Sequence, residues 1–278
     1  MTDPRELGYL GQDLEIELIR LLAARVRARF FVDIGAEQGR FAEAMFECGM
    51  RGALFEPLAR HLEALAALAA HHASNAYPYA IDEVDGEREL FIASDAEGNE
   101  LDYFHSLQKL DGAAQFRHSR SVRVACRSVA SLLAEGVLPA SVGILKTDTE
   151  GHDLGVLRGL GAMRPELVVC EYFTPGLYPG WDDARPQLAI DLMRSMGYSR
   201  YLATKRVGEF EYCSASPAGF LPRQWGNLFF LGDELFDASE TAIVLLLARV
   251  EARLVDRMEA IAADRIAKES VIQGLLAR

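Results

Sequence analysis

Several carboxylates in this chain follow short apolar runs: Asp33 within FFVDI, Glu56 after ALF, and Asp148 after ILKT. Glu150, His152 and Glu171 lie close behind. Apolar runs of that length read as buried strands, so three acids stand at or near strand ends. At the carboxyl ends of an open α/β sheet, such groups face a ligand crevice. A carboxylate there accepts hydrogen bonds from hydroxyls, attracts cations and repels phosphate. Between Asp33 and the next helical pattern lie Gly35, Ala36, Glu37 and Gly39. A small-residue turn lets a ligand approach the backbone, and the helix behind it is expected to offer free N–H groups. An ordinary strand–turn–helix with no ligand uses the same residues, and each acid alone has a plain reading as a satisfied strand-end group. Their co-location favours a site.

The spacing is G-x-x-x-G, without the second glycine of the dinucleotide fingerprint, and no Walker lysine motif is present. Glu37 in the turn suits a cationic ligand better than a pyrophosphate. Together these features point to S-adenosylmethionine (SAM), whose sulfonium and ammonium are both positive. Glu56 lies 23 positions after Asp33, where a βαβ unit places an acid on ribose hydroxyls. The cofactor-binding set read from the sequence is therefore Asp33, Gly35, Ala36, Glu37, Gly39, Glu56 and Pro57, the end of the third strand at Ala80, Ile81 and Asp82, then Ser106 and Asp148. The catalytic candidates are His152, Asp148 and Glu150. His152 comes first because an unperturbed imidazole titrates near neutrality. A capping role at the helix that follows is its structural alternative, and Asp148 alternatively touches the methionine part of SAM. Glu150 could hold the acceptor or a metal. No spacing forces a metal site, although the oxygen-rich set Asp148, Glu150, His152 and Glu171 leaves weak Mg²⁺ binding conceivable.

These residues need a scaffold. Asp13 to Arg29 has the apolar periodicity of a helix leading into the first strand, Phe30 to Ile34. A second strand, Ala53 to Phe55, and an Ala/Leu-rich helix, Ala59 to His72, follow. Ala76 to Ile81 reads as the third strand, and Gly86 to Ser94 as an additional one after a D-G turn. Asp95 to Arg120 is polar and weakly periodic, an excursion of the kind that folds over a ligand. Further strands are expected at Ser121 to Cys126, Ser141 to Asp148 and Leu167 to Tyr172, with helices at Ser128 to Leu133, Leu154 to Leu160 and Arg185 to Met196. Tyr198 to Ala203 and Gly226 to Leu231 are expected as a closing antiparallel hairpin. Lys146 falls on the same strand face as Asp148, which suggests a Lys–acid pair.

With 278 residues, half of them hydrophobic, the chain can bury a large core. Its formal charge of −12 argues against non-specific nucleic-acid binding. The four cysteines lack C-x-x-C spacing, so neither a zinc site nor a disulfide framework is suggested. There is no signal pattern and no long apolar run, so a cytoplasmic protein without a transmembrane segment is expected. Residues 1–236 are read as one α/β domain of the doubly wound, Rossmann-like SAM-methyltransferase class, mostly parallel. Residues 237–278 are read as a long helix. From Ala238 to Gln273 the chain has neither Gly nor Pro, which gives a helix on the order of 50 Å. Leu247, Leu254, Met258, Ile261, Ile272 and Leu275 fall near heptad spacing, interrupted by Arg265 and Lys268. A homo-oligomer through this helix is expected; a helix folded back on the sheet is the alternative.

VDIGAEQGRF, FEP, ILKTDTEGHDLGVLRG and VVCEYF together resemble the FkbM family of SAM-dependent methyltransferases, and WGNLFF is similar to that family's C-terminal strand. The resemblance covers roughly Phe30 to Leu231, and K-x-D-x-E-G is its most specific block. The family usually has Asn where this chain has Glu37, and often Glu where it has Asp153. The resemblance implies O-methylation of a sugar, glycan or natural product. Two other functions share the layout. A nicotinamide-dependent reductase or epimerase would need phosphate-cradling glycines and a Tyr-x-x-x-Lys pair, which are not seen. A non-catalytic module, presented by a coiled coil, would not need the acids and glycines that are intact here.

Overall fold

The computed structural model describes residues 9–110, 116–177, 185–207, 210–214 and 220–276. Helix α1 (Tyr9–Ala23) precedes β1 (Phe30–Ile34), then α2 (Arg40–Glu47), β2 (Arg51–Phe55), α3 (Ala59–His71) and β3 (Asn75–Tyr77). Strands β4 (Ala80–Ile81), β5 (Gly86–Ser94) and β6 (Arg117–Arg127) follow, then α4 (Val129–Ala134), β7 (Ile144–Thr147), α5 (Asp153–Arg158) and β8 (Leu167–Phe173). The rest is α6 (Pro186–Ser195), β9 (Arg200–Val207), β10 (Phe210–Ser214), β11 (Trp225–Leu231) and α7 (Asp233–Leu276). The chain divides into two compact units, Met1–Ser239 and Glu240–Arg278.

The main sheet has eight strands in the order β10-β9-β11-β8-β7-β1-β2-β3. From β8 to β3 the pairs are parallel, whereas β11 runs antiparallel to both β8 and β9. The fold is thus the Rossmann-like methyltransferase arrangement read from the sequence, including the closing antiparallel pair. The parallel strands are short and almost wholly buried, as FFVDI, RGALF and ILKT show. Val32, Ile34, Leu145, Val168 and Phe230 share one apolar core with Val156 and Leu157 of α5.

The third strand departs from expectation. Pro78 interrupts Ala76 to Ile81, because a proline has no N–H to give to a ladder. Only β3 stays in the main sheet. Strand β4 turns away and joins a separate three-stranded sheet, β4-β6-β5, in which β5 and β6 pair antiparallel with a register shift between Ile92 and Ala93. Strand β6 is longer than predicted and starts at Arg117, so the excursion is shorter; residues 111–115 of it lie outside the described residues.

Helix α7 has 44 residues, about 66 Å at 1.5 Å per residue. Val244, Leu245 and Val255 on it are exposed. The side chains of Leu254, Met258, Ile261, Ile272 and Leu275 lie outside the described ones. No helix among the described residues is long and apolar enough to cross a membrane. Cys126 and Cys170 are buried, and Cys170 is in the core.

Gly35 has a steric reason to be glycine. Its φ is +75°, and a Cβ there would stand 2.0 Å from the Asp148 carbonyl oxygen. This contact seats the β1 turn against the end of β7. Gly35→Ala should cost at least about 2 kcal/mol, since left-handed strain alone contributes about 1–2. Urea unfolding measures it, and a loss below about 0.5 kcal/mol, the range of ordinary surface changes, would contradict the contact.

Candidate active site

The turn after β1 keeps its N–H groups for the fold. Gly35 and Ala36 both donate to the Phe55 carbonyl (3.0 and 3.1 Å), Gly39 donates to the Ala36 carbonyl at 2.7 Å, and Glu37 donates to Glu56 Oε2 at 3.0 Å. β2 and the residue after it run close enough to take these turn N–H groups. Glu37 itself sits at φ 47°, in the left-handed region.

Glu56 is 5% exposed, and its second oxygen accepts from Leu58 N at 2.8 Å. Each carboxylate oxygen thus takes one backbone N–H and has a further lone pair to offer. Burial pushes the Glu56 carboxyl above its ordinary value, against the pull of these two N–H groups. Beside it opens a cavity with Gly35, Glu37, Glu56 and Pro57 on one side. Ala80, Ile81 and Leu90 line it from the second sheet, and Asp148, Thr149 and Glu150 from the end of β7. Asp102, Tyr103, Phe104, His105 and Leu107 of the excursion also line it. Arg60 of α3 fastens that segment by pairing with Glu100, by donating to the Leu101 carbonyl at 3.0 Å, and by contacting His105 Nε2 at 2.9 Å. Burial pushes His105 down to about 4, so its ring is neutral near pH 7, with Nδ1 accepting from Ala93 N.

A second, more polar cleft meets the first at Gly35, Glu37 and Asp148. It runs along the sheet past Asp33, Ala36, Lys146, Glu171, Asn227 and Arg206, with Glu15 of α1 opposite. The expected Lys–acid pair is present: Lys146 Nζ donates to Asp148 Oδ2 at 2.8 Å. Burial works against charge on Asp148, but the Lys146 ammonium overrides it and holds the carboxyl below its ordinary value. Asp33 is 1% exposed and both its oxygens lack a partner. Burial pushes it up to about 7. Glu171 is pushed up by burial and by the charge of Asp148.

Glu150 is the carboxyl set most clearly for proton chemistry. It lines the first cavity beside Asp148, and its Oε1 accepts from Phe104 N at 3.2 Å. Burial, then the charge of Asp148, push it up to about 8. Its backbone is left-handed, φ 53°, followed by Gly151 at 91°. Asp153, which sequence reading noted only as a departure, braces this turn. It is 3% exposed, accepts from Thr147 Oγ1 at 2.9 Å, and is pushed up by burial to about 6.

Some predicted residues are elsewhere. His152 lines neither cavity; its Nε2 donates to Asp82 Oδ1 at 2.8 Å, and its side chain makes no capping bond to α5. Asp82 is 1% exposed and also lines neither cavity. Burial works against its charge, but His152 and the Glu83 N–H hold it below its ordinary value, and Arg88 Nε lies 2.8 Å from its Oδ2. The pair therefore braces the β7 turn against the second sheet instead of facing a ligand. Ser106 is 1% exposed, with its backbone paired to Phe91 and its hydroxyl accepting from Gln108 N. Gly39 is the left-handed N-cap of α2, where a Cβ would lie 2.8 Å from Leu68. Asp33 and Ala36 face the second cleft only. Among the described residues no group of three His, Cys, Asp or Glu side chains is arranged to hold a metal ion. Trp225 and Asn227 belong to the WGNLFF run noted in the sequence, but only the β9–β11–β8 pairing brings them and Arg206 to the cleft.

The lining fits SAM: the Glu56 carboxyl, with lone pairs to offer, stands beside a cavity that leads to an excess of carboxyls over the one ammonium of Lys146. Several solved methyltransferase structures are similar to this chain. Precorrin-6y C5,15-methyltransferase from Geobacter metallireducens is 10% identical, over 79% of this chain and 88% of that one, with a TM-score of 0.40. The O-methyltransferase from Bacillus cereus, in complex with S-adenosylhomocysteine (SAH), is 10% identical, over 84% and 83%, at 0.38. O-methyltransferase TomG from Streptomyces achromogenes, involved in tomaymycin synthesis and in complex with SAM, is 11% identical, over 83% and 81%, at 0.38. Likeness at this level does not extend to substrates or residue roles. No match was found among curated proteins. The methyltransferase FkbM domain model, however, matches residues 33–200, more than half of the chain. The chain belongs to the FkbM family of SAM-dependent methyltransferases.

Proposed function

We propose that this protein methylates a hydroxyl oxygen of a sugar, glycan or natural-product acceptor, with Glu150 as the general base. SAM supplies a methyl group already activated on a sulfonium. The chain's own work is to hold two partners in line and to take one proton. Glu56 would accept from the ribose hydroxyls, with Pro57, Ala80 and Ile81 along the adenosine. Gly35, Glu37, Asp33 and Asp148 would face the methionine end.

The observation that supports a hydroxyl acceptor is the state of Glu150. A hydroxyl is a poor nucleophile near neutral pH, and a base helps most when its own pKa lies near the working pH. Glu150, pushed up to about 8 beside Asp148, meets that condition. A cationic group in the cavity would draw its proton off, because an opposite charge nearby favours the carboxylate. Asp148, paired with Lys146, stays charged and steadies the cation. His152 is committed to Asp82 and is left as a brace.

Glu56→Ala should weaken SAH binding by about 1–3 kcal/mol, as for a lost charged hydrogen-bond partner, while Glu56→Gln, which keeps one acceptor oxygen, should lose less. Calorimetric titration with SAH measures both, and unchanged affinity in Glu56→Ala would remove the residue from the ribose. Glu150→Gln should lower turnover by roughly 10²–10⁴-fold with SAH affinity nearly intact. In the wild type, turnover should rise with pH as Glu150 loses its proton. The midpoint should lie between the ordinary 4.5 and the value of about 8 to which burial and Asp148 push the carboxyl. A Glu150→Gln enzyme with near wild-type turnover and the same pH profile would end the base assignment.

A further inference from the structure

Beyond its junction with the adenosine cavity, the second cleft carries buried groups that the methyl-transfer reading does not use. Asn227 on β11 and Glu171 on β8 stand directly opposite each other in the antiparallel ladder. Side chains so placed have Cβ atoms about 4.5–5.5 Å apart. Asn227 is 5% exposed; its amide nitrogen donates to Glu15 Oε2 at 2.8 Å, which leaves Oδ1 as the remaining polar atom. That Oδ1 and Glu171 Oε2 are both buried without a hydrogen-bond partner. Buried polar atoms are normally satisfied, and leaving them bare costs free energy. Both of these atoms can accept, so a donor is the partner that would satisfy them.

Charge narrows the class. Lys146 is paired with Asp148, and Arg206 lies 3.5 Å from Glu15 while its guanidinium stacks 4.0 Å over the Trp225 ring. Arg40 and Arg20 also line the cleft, the latter in an ion pair with Glu47. No ion pair of Glu171 is formed among the described residues. A group with several donors, no acceptor and a positive charge answers both deficits.

Resting on the methyl-transfer reading above, we infer that this end of the cleft is the acceptor subsite and binds a protonated amine, so that the acceptor is a hydroxyl compound that also carries an ammonium group. The amine, held protonated among carboxyls, has no lone pair with which to attack the methyl group. It orients the acceptor and leaves the hydroxyl to react. The cofactor's own ammonium is the other possible source of the same chemistry.

Three probes of one ring type separate the outcomes: glucosamine, glucose and glucuronate, each titrated into the full-length protein with and without saturating SAH. Glucosamine should bind the SAH complex at least 10-fold more tightly than glucose, and glucuronate more weakly than either. The advantage should collapse in Glu171→Gln, which keeps the shape of the side chain, and in Asn227→Leu. Retained SAH binding shows that both variants are folded. Equal binding of glucose and glucosamine overturns the inference, and so does an advantage that survives both substitutions. Glucosamine binding that SAH abolishes would assign the ammonium site to the cofactor and overturn the acceptor subsite. A protein in which neither glucosamine nor 2-aminoethanol binds would overturn it too. Amine binding without any SAH binding would instead count against the methyl-transfer reading and leave the cleft's amine site standing.

Discussion

Lys146 makes the site electrostatically possible. Its ammonium is buried beneath a rim of carboxyls, 2.8 Å from Asp148 Oδ2 and above the Phe41 ring. Burial alone would strip the charge from a lysine; the surrounding Asp148, Asp33 and Glu15 reverse this and push its pKa up. One ammonium cannot neutralise several acids. Asp148, the nearest, is held ionised. Asp33, Glu150 and Asp153 are pushed up to about 7, 8 and 6, with burial as the first cause in each. The site is therefore built with an unmet demand for positive charge. In the proposed reaction a sulfonium would meet that demand beside Glu150, which would link cofactor binding to activation of the base.

The turn geometry explains both glycines and the departure at Glu37. Gly35 packs on the Asp148 carbonyl and Gly39 on Leu68, so the G-x-x-x-G spacing here serves packing as well as ligand access. Glu37 occupies a left-handed conformation and gives its N–H to Glu56. Asn is among the residues that adopt that conformation most readily. Glu takes the position here with some strain, and its carboxyl adds to the acid excess.

The strands that carry Asp33, Glu56 and Asp148 were legible in the sequence because each is a short apolar run stopped by an acid or followed by a glycine turn. Local chemistry of that kind survives folding. The second sheet was not legible, since the break at Pro78 and the pairing of β4 with β6 depend on a partner some 45 residues later. His152 misled for a similar reason. A histidine after an acid block has the residue type of a base, but its direction is fixed by Asp82, 70 residues away. Asn227 and Trp225 on β11 and Arg206 on β9 reach the cleft through strand register, which sets Asn227 opposite Glu171 and Trp225 opposite Arg206. Residue type and spacing pointed to the residues around the first cavity; the far end of the second cleft depends on long-range strand pairing.

The account turns on the proton held by Glu150, and ¹³C NMR of labelled glutamate carboxyls, assigned with Glu150→Gln, follows it directly. In the protein alone the Glu150 carboxyl should titrate near 8. With SAM bound the midpoint should fall, and with SAH, which lacks the sulfonium charge, it should fall less. A carboxyl that titrates at the ordinary 4.5 without ligand, or one that responds equally to SAM and SAH, would contradict the link between cofactor charge and base.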